Sequence, residues 1–142
     1  MILTKDGDIA ALLNGTRTIA MIGASDRPER ASNGVMRYLL SQGYHVIPVN
    51  PALSGATLFG QTVVASLENI DEPIDMVDIF RNSDAAAESV DSAITVGAKS
   101  VWMQLGVINE AAAERAVAAG LSVVMDRCPK IEIARLGVKR PT

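Results

Sequence analysis

The stretch Thr18-Ile-Ala-Met-Ile22, which runs directly into Gly23-Ala-Ser25, decides the fold class of this chain. A short apolar run without polar alternation, ended by a glycine, is typical of a strand buried on both of its faces. Strands of this kind occur mainly in parallel sheets that carry helices on each side. We therefore predict a buried strand at residues 18–22.

Around this strand the chain alternates between short apolar segments and longer helical stretches. Further strands are predicted at residues 45–49, 75–80, 100–104 and 121–125, with a shorter one near 62–64. Helices are predicted at residues 8–14, from Ser32 or Asn33 to Gly43, from Ser83 to Gly97, and at 110–119 and 130–136, with one helical turn near 66–69. Strands that alternate with helices of about 10–15 residues indicate a parallel sheet with right-handed crossovers. The predicted fold is α/β, a Rossmann-like doubly wound, mainly parallel sheet with helices on both faces.

Single residues refine these elements. Pro48 removes a hydrogen-bond donor from the strand at 45–49, which predicts that this strand lies at or near an edge of the sheet. Ser32 or Asn33 is predicted to cap the helix after the first strand, and Asn109 to cap the helix at 110–119.

The composition bounds the classes of function. With 142 residues, 49% hydrophobic and 20% charged, the chain reads as one globular domain over residues 1–142. It has a single cysteine, Cys128, and a single histidine, His45, which excludes an internal disulfide and a paired Cys/His zinc site. A net charge of −3 argues against a nucleic-acid partner, because phosphate neutralisation needs clustered Lys and Arg. No apolar run approaches the ~20 residues that cross a bilayer, and MILTKDGDIA lacks a cationic, apolar leader, so we expect a cytoplasmic protein without a membrane partner.

The loops that follow the strands hold most of the candidate binding residues. In an open α/β sheet, ligands bind beyond the carboxyl ends of the strands, where the strand order reverses. The loop Gly23–Asn33 leads from the first strand into a helix, whose free N–H groups and dipole favour an anion. Gly23 allows the turn, Ser25, Ser32 and Asn33 offer donors to phosphate, and Arg27 and Arg30 offer charge. The alternative is an ordinary solvated loop in which Ser32 only caps the helix.

A dinucleotide site predicts G-x-G-x-x-G after the first strand and an acidic residue at the end of the second. Here the loop reads Gly23-Ala24-Ser25 and the second strand ends Val49-Asn50-Pro51. The missing second glycine and carboxylate disfavour NAD and FAD.

Candidate catalytic residues are few. His45 and Ser25 have no partner in the sequence that would make a catalytic pair or triad, and we expect no catalytic centre. Asp75 and Asp78 fit strand termini or a polar strand face better than an acid/base pair. Cys128 reads as a small buried hydrophobe, with the alternative that neighbouring Arg127 favours its thiolate.

Five stretches, in order, resemble the CoA-binding domain family, particularly the small stand-alone CoA-binding proteins of bacteria. They are Ile22-Gly-Ala-Ser25, Gly43-Tyr-His-Val-Ile-Pro-Val-Asn-Pro51, Pro73-Ile-Asp-Met-Val-Asp-Ile-Phe-Arg81, Val101-Trp-Met-Gln-Leu-Gly-Val107 and Val124-Met-Asp-Arg-Cys-Pro129. The chain is also similar to the N-terminal domain of the succinyl-CoA synthetase α subunit. The resemblance implies CoA contacts at Gly23, Ala24, Ser25, Asn33, Asn50, Pro51, Phe80, Arg81, Gln104 and Gly106.

The chain departs from the synthetases in one place that bears on binding. Where the synthetases carry a basic residue for a CoA phosphate, this chain has Pro51-Ala-Leu53, so we expect Arg27 or Arg30 to replace it. The synthetases also place a phosphorylated histidine in a further domain, so their activity is not carried over. We therefore interpret the chain as a protein that binds CoA or acyl-CoA and has no catalytic centre of its own. The rivals are an NAD(P)-binding or CoA-transferring subunit of a multi-chain enzyme, and a structural module whose nucleotide pocket has lapsed.

Overall fold

Five strands form one parallel sheet, and helices cover both of its faces. The computed structural model describes residues 1–139, so residues 140–142 of the predicted domain lie outside the described residues. The strands are β1 (Thr18–Ile22), β2 (His45–Val49), β3 (Thr57–Leu58), β4 (Gln61–Thr62), β5 (Met76–Ile79), β6 (Ser100–Met103) and β7 (Ser122–Val124). The α-helices are α1 (Asp6–Gly15), α2 (Ala31–Ser41), α3 (Ser83–Thr95), α4 (Glu110–Ala118) and α5 (Pro129–Leu136). Single 3-10 turns lie at Pro51–Leu53 and Leu67–Asn69.

The strand order of the main sheet is β2-β1-β5-β6-β7, with every neighbouring pair parallel. The chain first moves outward from β1 to β2 and then returns to the other side of β1 with β5. The order therefore reverses at β1, which is the switch point at which doubly wound sheets bind ligands. The predicted Rossmann-like fold is confirmed.

Each face of the sheet has its own apolar core. On one face, α3 and α4 pack through fully buried alanines and Val90, which allow the helices to approach the sheet closely. On the other face, α1, α2 and α5 contribute larger side chains, among them Ile9, Met36 and Leu39, around the fully buried Trp102.

β2 lies at the edge of the main sheet, as Pro48 predicts. Pro48 still uses its carbonyl, which accepts a hydrogen bond from the Val64 N–H at 3.0 Å. The strand predicted near 62–64 is only partly right. Residues 57–62 form a small antiparallel hairpin, β3-β4, and Val64 adds an isolated parallel bridge to Val49. The hairpin turn places Phe59 at φ +48°, a left-handed conformation that phenylalanine does not signal in the sequence.

The predicted cap of α2 is wrong. Arg30 occupies the N-cap position without a side-chain cap, and α2 begins at Ala31. Ser32 and Asn33 lie inside the first turn and are both buried. The prediction for Asn109 is confirmed, since its Oδ1 accepts from the Ala112 N–H at 3.0 Å.

The first residues of the chain extend the sheet beside β7. The Leu3 N–H donates to the Val123 carbonyl at 2.7 Å, and the Val123 N–H donates to the Met1 carbonyl at 3.0 Å. Among residues 1–139, no helix has the length and apolar character that a bilayer crossing requires.

Candidate functional site

A cavity of about 740 Å³ opens beyond the carboxyl ends of the main-sheet strands, beside the switch point. It lies on the face of the sheet covered by α2 and α5. Ten of the residues predicted from the sequence line it: Gly23, Ala24, Ser25, Arg27, Arg30, Ser32, Asn50, Phe80, Arg81 and Gln104. A further set, which the sequence did not predict as contact residues, also lines it: Asp26, Ala31, Val35, Ala52, Leu53, Asn82, Leu105, Val107 and Cys128. Most of these residues are neighbours of the predicted contact residues. The sequence signal that could have identified them is their position in a loop after a strand.

Gly23 allows three strand ends to meet. Its N–H donates to the Val49 carbonyl at 3.0 Å, and the Phe80 N–H donates to the Ile22 carbonyl at 2.9 Å. At φ +85°, a Cβ on Gly23 would lie 2.3 Å from the Phe80 carbonyl oxygen. Only glycine therefore fits this position, and the backbone of the β1–α2 loop passes directly over β5.

Two asparagine side chains hold the walls of the cavity rather than pointing freely into it. Asn50 donates through Nδ2 to the Ala24 carbonyl at 2.8 Å and accepts from the Ala52 N–H at 2.9 Å. Asn33 is buried and donates through Nδ2 to the Ser25 carbonyl at 3.0 Å. Asn33 does not line the cavity and supports the loop instead, so its direct contact with a ligand stays a prediction.

Three arginines give the cavity its charge. Arg27, Arg30 and Arg81 are exposed and line the cavity. Within residues 1–139 none of their guanidinium groups has an ion-pair partner. Unpaired guanidinium groups beside the N-terminus of α2 create a site that favours a polyanion.

Gln104 forms part of the buried wall. Its side chain is 6% exposed, and its Oε1 has no hydrogen-bond partner among the described residues. A buried acceptor without a donor lowers the stability of the folded protein.

Gly106 does not line the cavity but anchors the β6–α4 loop. Its N–H donates to Asp126 Oδ1 at 2.7 Å. Asp126 adopts φ +56°, and the loop is also held by Ser83, whose Oγ accepts from the Ile108 N–H at 3.0 Å. The loop that carries Leu105 and Val107 into the cavity is therefore fixed from two sides.

A second cavity of about 430 Å³ lies on the α3 face of the same strand ends. It contains Pro51, the remaining predicted residue, together with Ser66, Glu68 and Glu88. Gly23, Asn50 and Arg81 line both cavities. The first cavity is lined by three arginines and one acid, Asp26, and the second by two acids and one arginine, so the two cavities differ in charge.

Of the two interpretations, the strand terminus is correct for Asp75 and the polar strand face is wrong for Asp78. Asp78 is completely buried between Met21 and Trp102 in the sheet, and burial raises the pKa of its carboxyl well above the usual value. A central strand covered by helices on both sides has no polar face. Asp75 precedes β5 and accepts from the N–H groups of Arg17 and Thr18, both at 3.0 Å.

The remaining candidates lie apart from a catalytic arrangement. His45 Nε2 is 3.1 Å from Glu72 Oε1, at the amino end of β2, opposite to the strand ends that carry the cavity. Cys128 is buried in the cavity wall. The guanidinium of Arg127 binds Glu132 Oε1 at 2.7 Å, so its charge is engaged there rather than with Cys128.

Comparison with known proteins agrees with this geometry. The CoA binding domain matches residues 17–134. The chain belongs to the CoA-binding domain family. It is 37% identical over 124 residues to YneT of Bacillus subtilis (strain 168). The aligned region covers 87% of this chain and 90% of YneT.

Solved structures show the same fold. A Thermus thermophilus protein is 38% identical, with a TM-score of 0.89 over 94% of this chain and 99% of the other. A Pyrococcus horikoshii OT3 protein is 41% identical, with a TM-score of 0.88 over 94% of this chain and 92% of the other. The dinucleotide-forming acetyl-coenzyme A synthetase 1 of Ca. Korarchaeum cryptofilum shares the fold, at 24% identity and a TM-score of 0.70. The match covers 84% of this chain and 28% of the synthetase.

Proposed function

We propose that this protein binds CoA or acyl-CoA in the cavity at the switch point and has no catalytic centre of its own. The observation that carries the proposal is a cavity of about 740 Å³ at the strand ends of a CoA-binding domain, lined by three arginines that have no ion-pair partner within residues 1–139. A volume of this size lies in the range of about 300–1,000 Å³ typical of small-molecule sites.

The charge of the cavity supports a ligand with several phosphates. Arg27, Arg30 and Arg81 supply three guanidinium groups, and the first turn of α2 adds backbone N–H groups beside them. Charge-assisted hydrogen bonds from arginine to phosphate are among the stronger polar contacts in proteins. CoA carries a diphosphate and a 3′-phosphate, so the site and the ligand match in charge.

The second strand end supports CoA over NAD. The side chain of Asn50 is occupied by Ala24 and Ala52, and the turn that follows, Pro51–Leu53, carries no acid. A ribose diol of NAD therefore lacks the carboxylate that it meets at this place in dinucleotide-binding sheets. The missing basic residue near Leu53 is compensated in this proposal by Arg27 or Arg30, which line the same cavity.

Calorimetry with purified protein tests the proposal. CoA and acetyl-CoA are expected to bind more tightly than NAD, NADP or ATP under the same conditions. Equal or stronger binding of NAD would contradict the CoA assignment and favour the dinucleotide alternative, and no binding of any of the five would favour a module without a nucleotide site.

A second measurement tests the absence of catalysis. Acetyl-CoA incubated with the protein is expected to remain intact over hours, with free thiol no higher than in buffer alone. Release of CoA thiol that saturates with acetyl-CoA concentration would identify a catalytic activity.

A further inference from the structure

Three strand-end loops meet beside the first cavity, and each carries residues that line it. The β5–α3 loop contributes Arg81 and Asn82, the β6–α4 loop Leu105 and Val107, and the β7–α5 loop Cys128. The three loops follow neighbouring strands of the main sheet. Their positions relative to one another therefore determine the shape of this side of the cavity.

The β6–α4 loop has little apolar burial to hold it in place. Leu105 is 55% exposed and Ile108 is 48% exposed, and within residues 105–108 only Val107 is buried. The chain turns at Gly106, whose φ is +78°, and the Val107 N–H closes the turn by donating to the Gln104 carbonyl at 2.8 Å. Because exposed side chains do not fix a loop, its position depends on hydrogen bonds from neighbouring segments.

Side chains from the other two loops bind the backbone at this turn. Asp126 Oδ1, from the β7–α5 loop, accepts from the Gly106 N–H at 2.7 Å. Ser83 Oγ, at the start of α3, accepts from the Ile108 N–H at 3.0 Å and donates to the Gly106 carbonyl at 3.4 Å. Both polar groups of the Gly106 backbone thus have a partner, and the three loops are tied together.

Asp126 adopts an unusual backbone conformation at this place. Its φ is +56°, in the left-handed region, where aspartate is one of the few residues other than glycine that occur with any frequency. The side chain is exposed, lines neither cavity and forms no ion pair with any residue in the range 1–139. The contact that this conformation gives to its carboxylate is the one with Gly106.

We propose that Asp126 and Ser83 are positioning residues, which hold the β6–α4 loop in the ligand-binding conformation before the ligand arrives. The inference rests on the proposed function and adds that two residues outside the cavity control the affinity for the ligand. A loop that is already ordered loses little conformational entropy when the ligand binds. A released loop has other conformations available, and the ligand binds only the fraction of molecules in which the cavity is formed.

Two substitutions of Asp126 separate the hydrogen bond from the charge. Asp126→Gly permits the positive φ but removes the acceptor, whereas Asp126→Asn keeps an acceptor oxygen and also tolerates this conformation. Both variants lack the negative charge, so its effect on an anionic ligand is the same in the two. The calorimetric Kd for CoA should be about three- to tenfold higher in Asp126→Gly than in Asp126→Asn.

Ser83→Ala tests the other side of the loop without introducing a flexible glycine. It removes the Oγ that contacts Gly106 and Ile108, and it should also raise the Kd for CoA by about three- to tenfold. An unchanged Kd in Ser83→Ala would overturn the joint role of the two residues.

Hydrogen exchange of the ligand-free protein provides a readout that does not depend on CoA. The peptide that covers residues 104–109 should exchange faster in Asp126→Gly than in Asp126→Asn, while peptides from the main-sheet strands exchange equally in both. Equal exchange of the 104–109 peptide in the two variants would overturn the proposal.

Asp75→Ala is the matched control. Asp75 also accepts from backbone N–H groups, those of Arg17 and Thr18, but it lies at the opposite end of β5 from the cavity. Asp75→Ala should lower the midpoint of urea unfolding and leave the Kd for CoA and the exchange of residues 104–109 unchanged. A comparable loss of affinity in this variant would attribute the effect to general destabilisation and overturn the positioning role.

The outcomes separate this inference from the proposed function. If the wild type binds CoA and Asp126→Gly binds it as tightly as Asp126→Asn, the positioning role is overturned and the CoA site stands. If the wild type does not bind CoA, the proposed function fails and the inference fails with it.

Discussion

At Gly23 the backbone of the β1–α2 loop passes so close to β5 that a side chain has no room. Two independent features require glycine at position 23. One is the positive φ of +85°, and the other is the Phe80 carbonyl oxygen, which lies 2.3 Å from the position of a Cβ. Gly34, on α2, has no atom within 4 Å of its Cβ position. The two glycines therefore form a matched pair for separating a general effect of glycine replacement from the steric one.

Gly23→Ala is expected to lower the free energy of unfolding by about 2 kcal/mol or more, since a left-handed conformation alone costs an L residue about 1–2 kcal/mol. Gly34→Ala should instead be neutral or stabilise by up to about 1 kcal/mol, because alanine is the better helix former. Urea unfolding of both variants measures the difference. A Gly23→Ala protein as stable as the wild type would show that the strand ends are able to move apart.

Asp78 is an acidic residue in an environment that normally holds an apolar one. Its carboxyl is fully buried in β5, and neither oxygen has a hydrogen-bond partner in the described part of the chain. Burial raises the pKa of this carboxyl well above the usual value of 3.8. The folded protein thus holds a proton that the unfolded chain releases once the pH exceeds about 4.

Stability is therefore expected to fall as the pH rises above the pKa of the unfolded carboxyl, until the pKa of folded Asp78 is passed. Asp78→Asn cannot ionise and should lose this part of the slope when unfolding is measured between pH 5 and pH 8. The same slope in wild type and Asp78→Asn would contradict the buried neutral carboxyl.

Asp75→Asn is the control from the same segment. Burial raises the pKa of Asp75, but hydrogen bonds from the Thr18 and Arg17 N–H groups, with Lys99 beside it, hold it below the usual value. Its contribution is present above the unfolded pKa and is lost as the pH falls, so Asp75→Asn should cost about 1 kcal/mol at neutral pH.

At the scale of elements, the β1–α2 loop is the part of the site with the most charge. It connects β1 to α2 and carries Arg27 and Arg30. Asn33 Nδ2 stabilises the loop by donating a hydrogen bond to the Ser25 carbonyl. The loop is thus supported by a partly buried hydrogen bond, while the guanidinium groups of Arg27 and Arg30 are exposed.

Arg30→Ala is expected to weaken CoA binding by about 1.5–3 kcal/mol, or about ten- to a hundredfold in Kd, if the guanidinium binds the 3′-phosphate. Dephospho-CoA should lose much less affinity in the same variant. Arg37→Ala, on an exposed part of α2 outside the cavity, is the charge-matched control and should leave both affinities unchanged. Calorimetric titration measures all of these, and an equal loss for both ligands would show that Arg30 does not bind the 3′-phosphate.

At the scale of the whole molecule, the two edges of the sheet are protected in different ways. At β2, Pro48 has no N–H to offer and its carbonyl is taken by Val64. At β7, the N-terminal residues pair with Val123, which occupies the edge groups that would otherwise be available for another strand. The N-terminus is also tied to α5, because Arg135 binds Asp6 at 2.8 Å.

Removal of residues 1–3 is expected to destabilise the protein by about 1–3 kcal/mol, since it deletes two backbone hydrogen bonds to β7. The truncated protein should also associate at high concentration through the opened edge. Ile2→Thr keeps the backbone pairing and should change the free energy of unfolding little. Urea unfolding and sedimentation velocity measure the two effects, and a truncated protein that is monomeric and fully stable would contradict the role of the segment.

The alternation of strands and helices was predictable because each element has its own pattern of apolar residues along the chain. An apolar run such as residues 18–22 is recognised from a few consecutive residues. The preference for right-handed crossovers then limits the possible topologies. The residues of the cavity followed from the same rule, because strand-end loops in a parallel sheet meet at one edge. What failed were details that depend on partners distant in sequence, such as the β3-β4 hairpin and the start of α2.

The sequence by itself determined the parallel α/β architecture, the edge position of β2 and the strand ends at which the main cavity opens. Tertiary structure alone decided that Asn33 and Gly106 support the site from outside the cavity and that Cys128 and Gln104 share its wall. It also decided that Asp78 is buried and has no hydrogen-bond partner among the described residues, contrary to its residue type. The physical reason is that periodicity depends on neighbours along the chain, whereas burial, hydrogen-bond satisfaction and the lining of a cavity depend on segments that meet only when the sheet assembles.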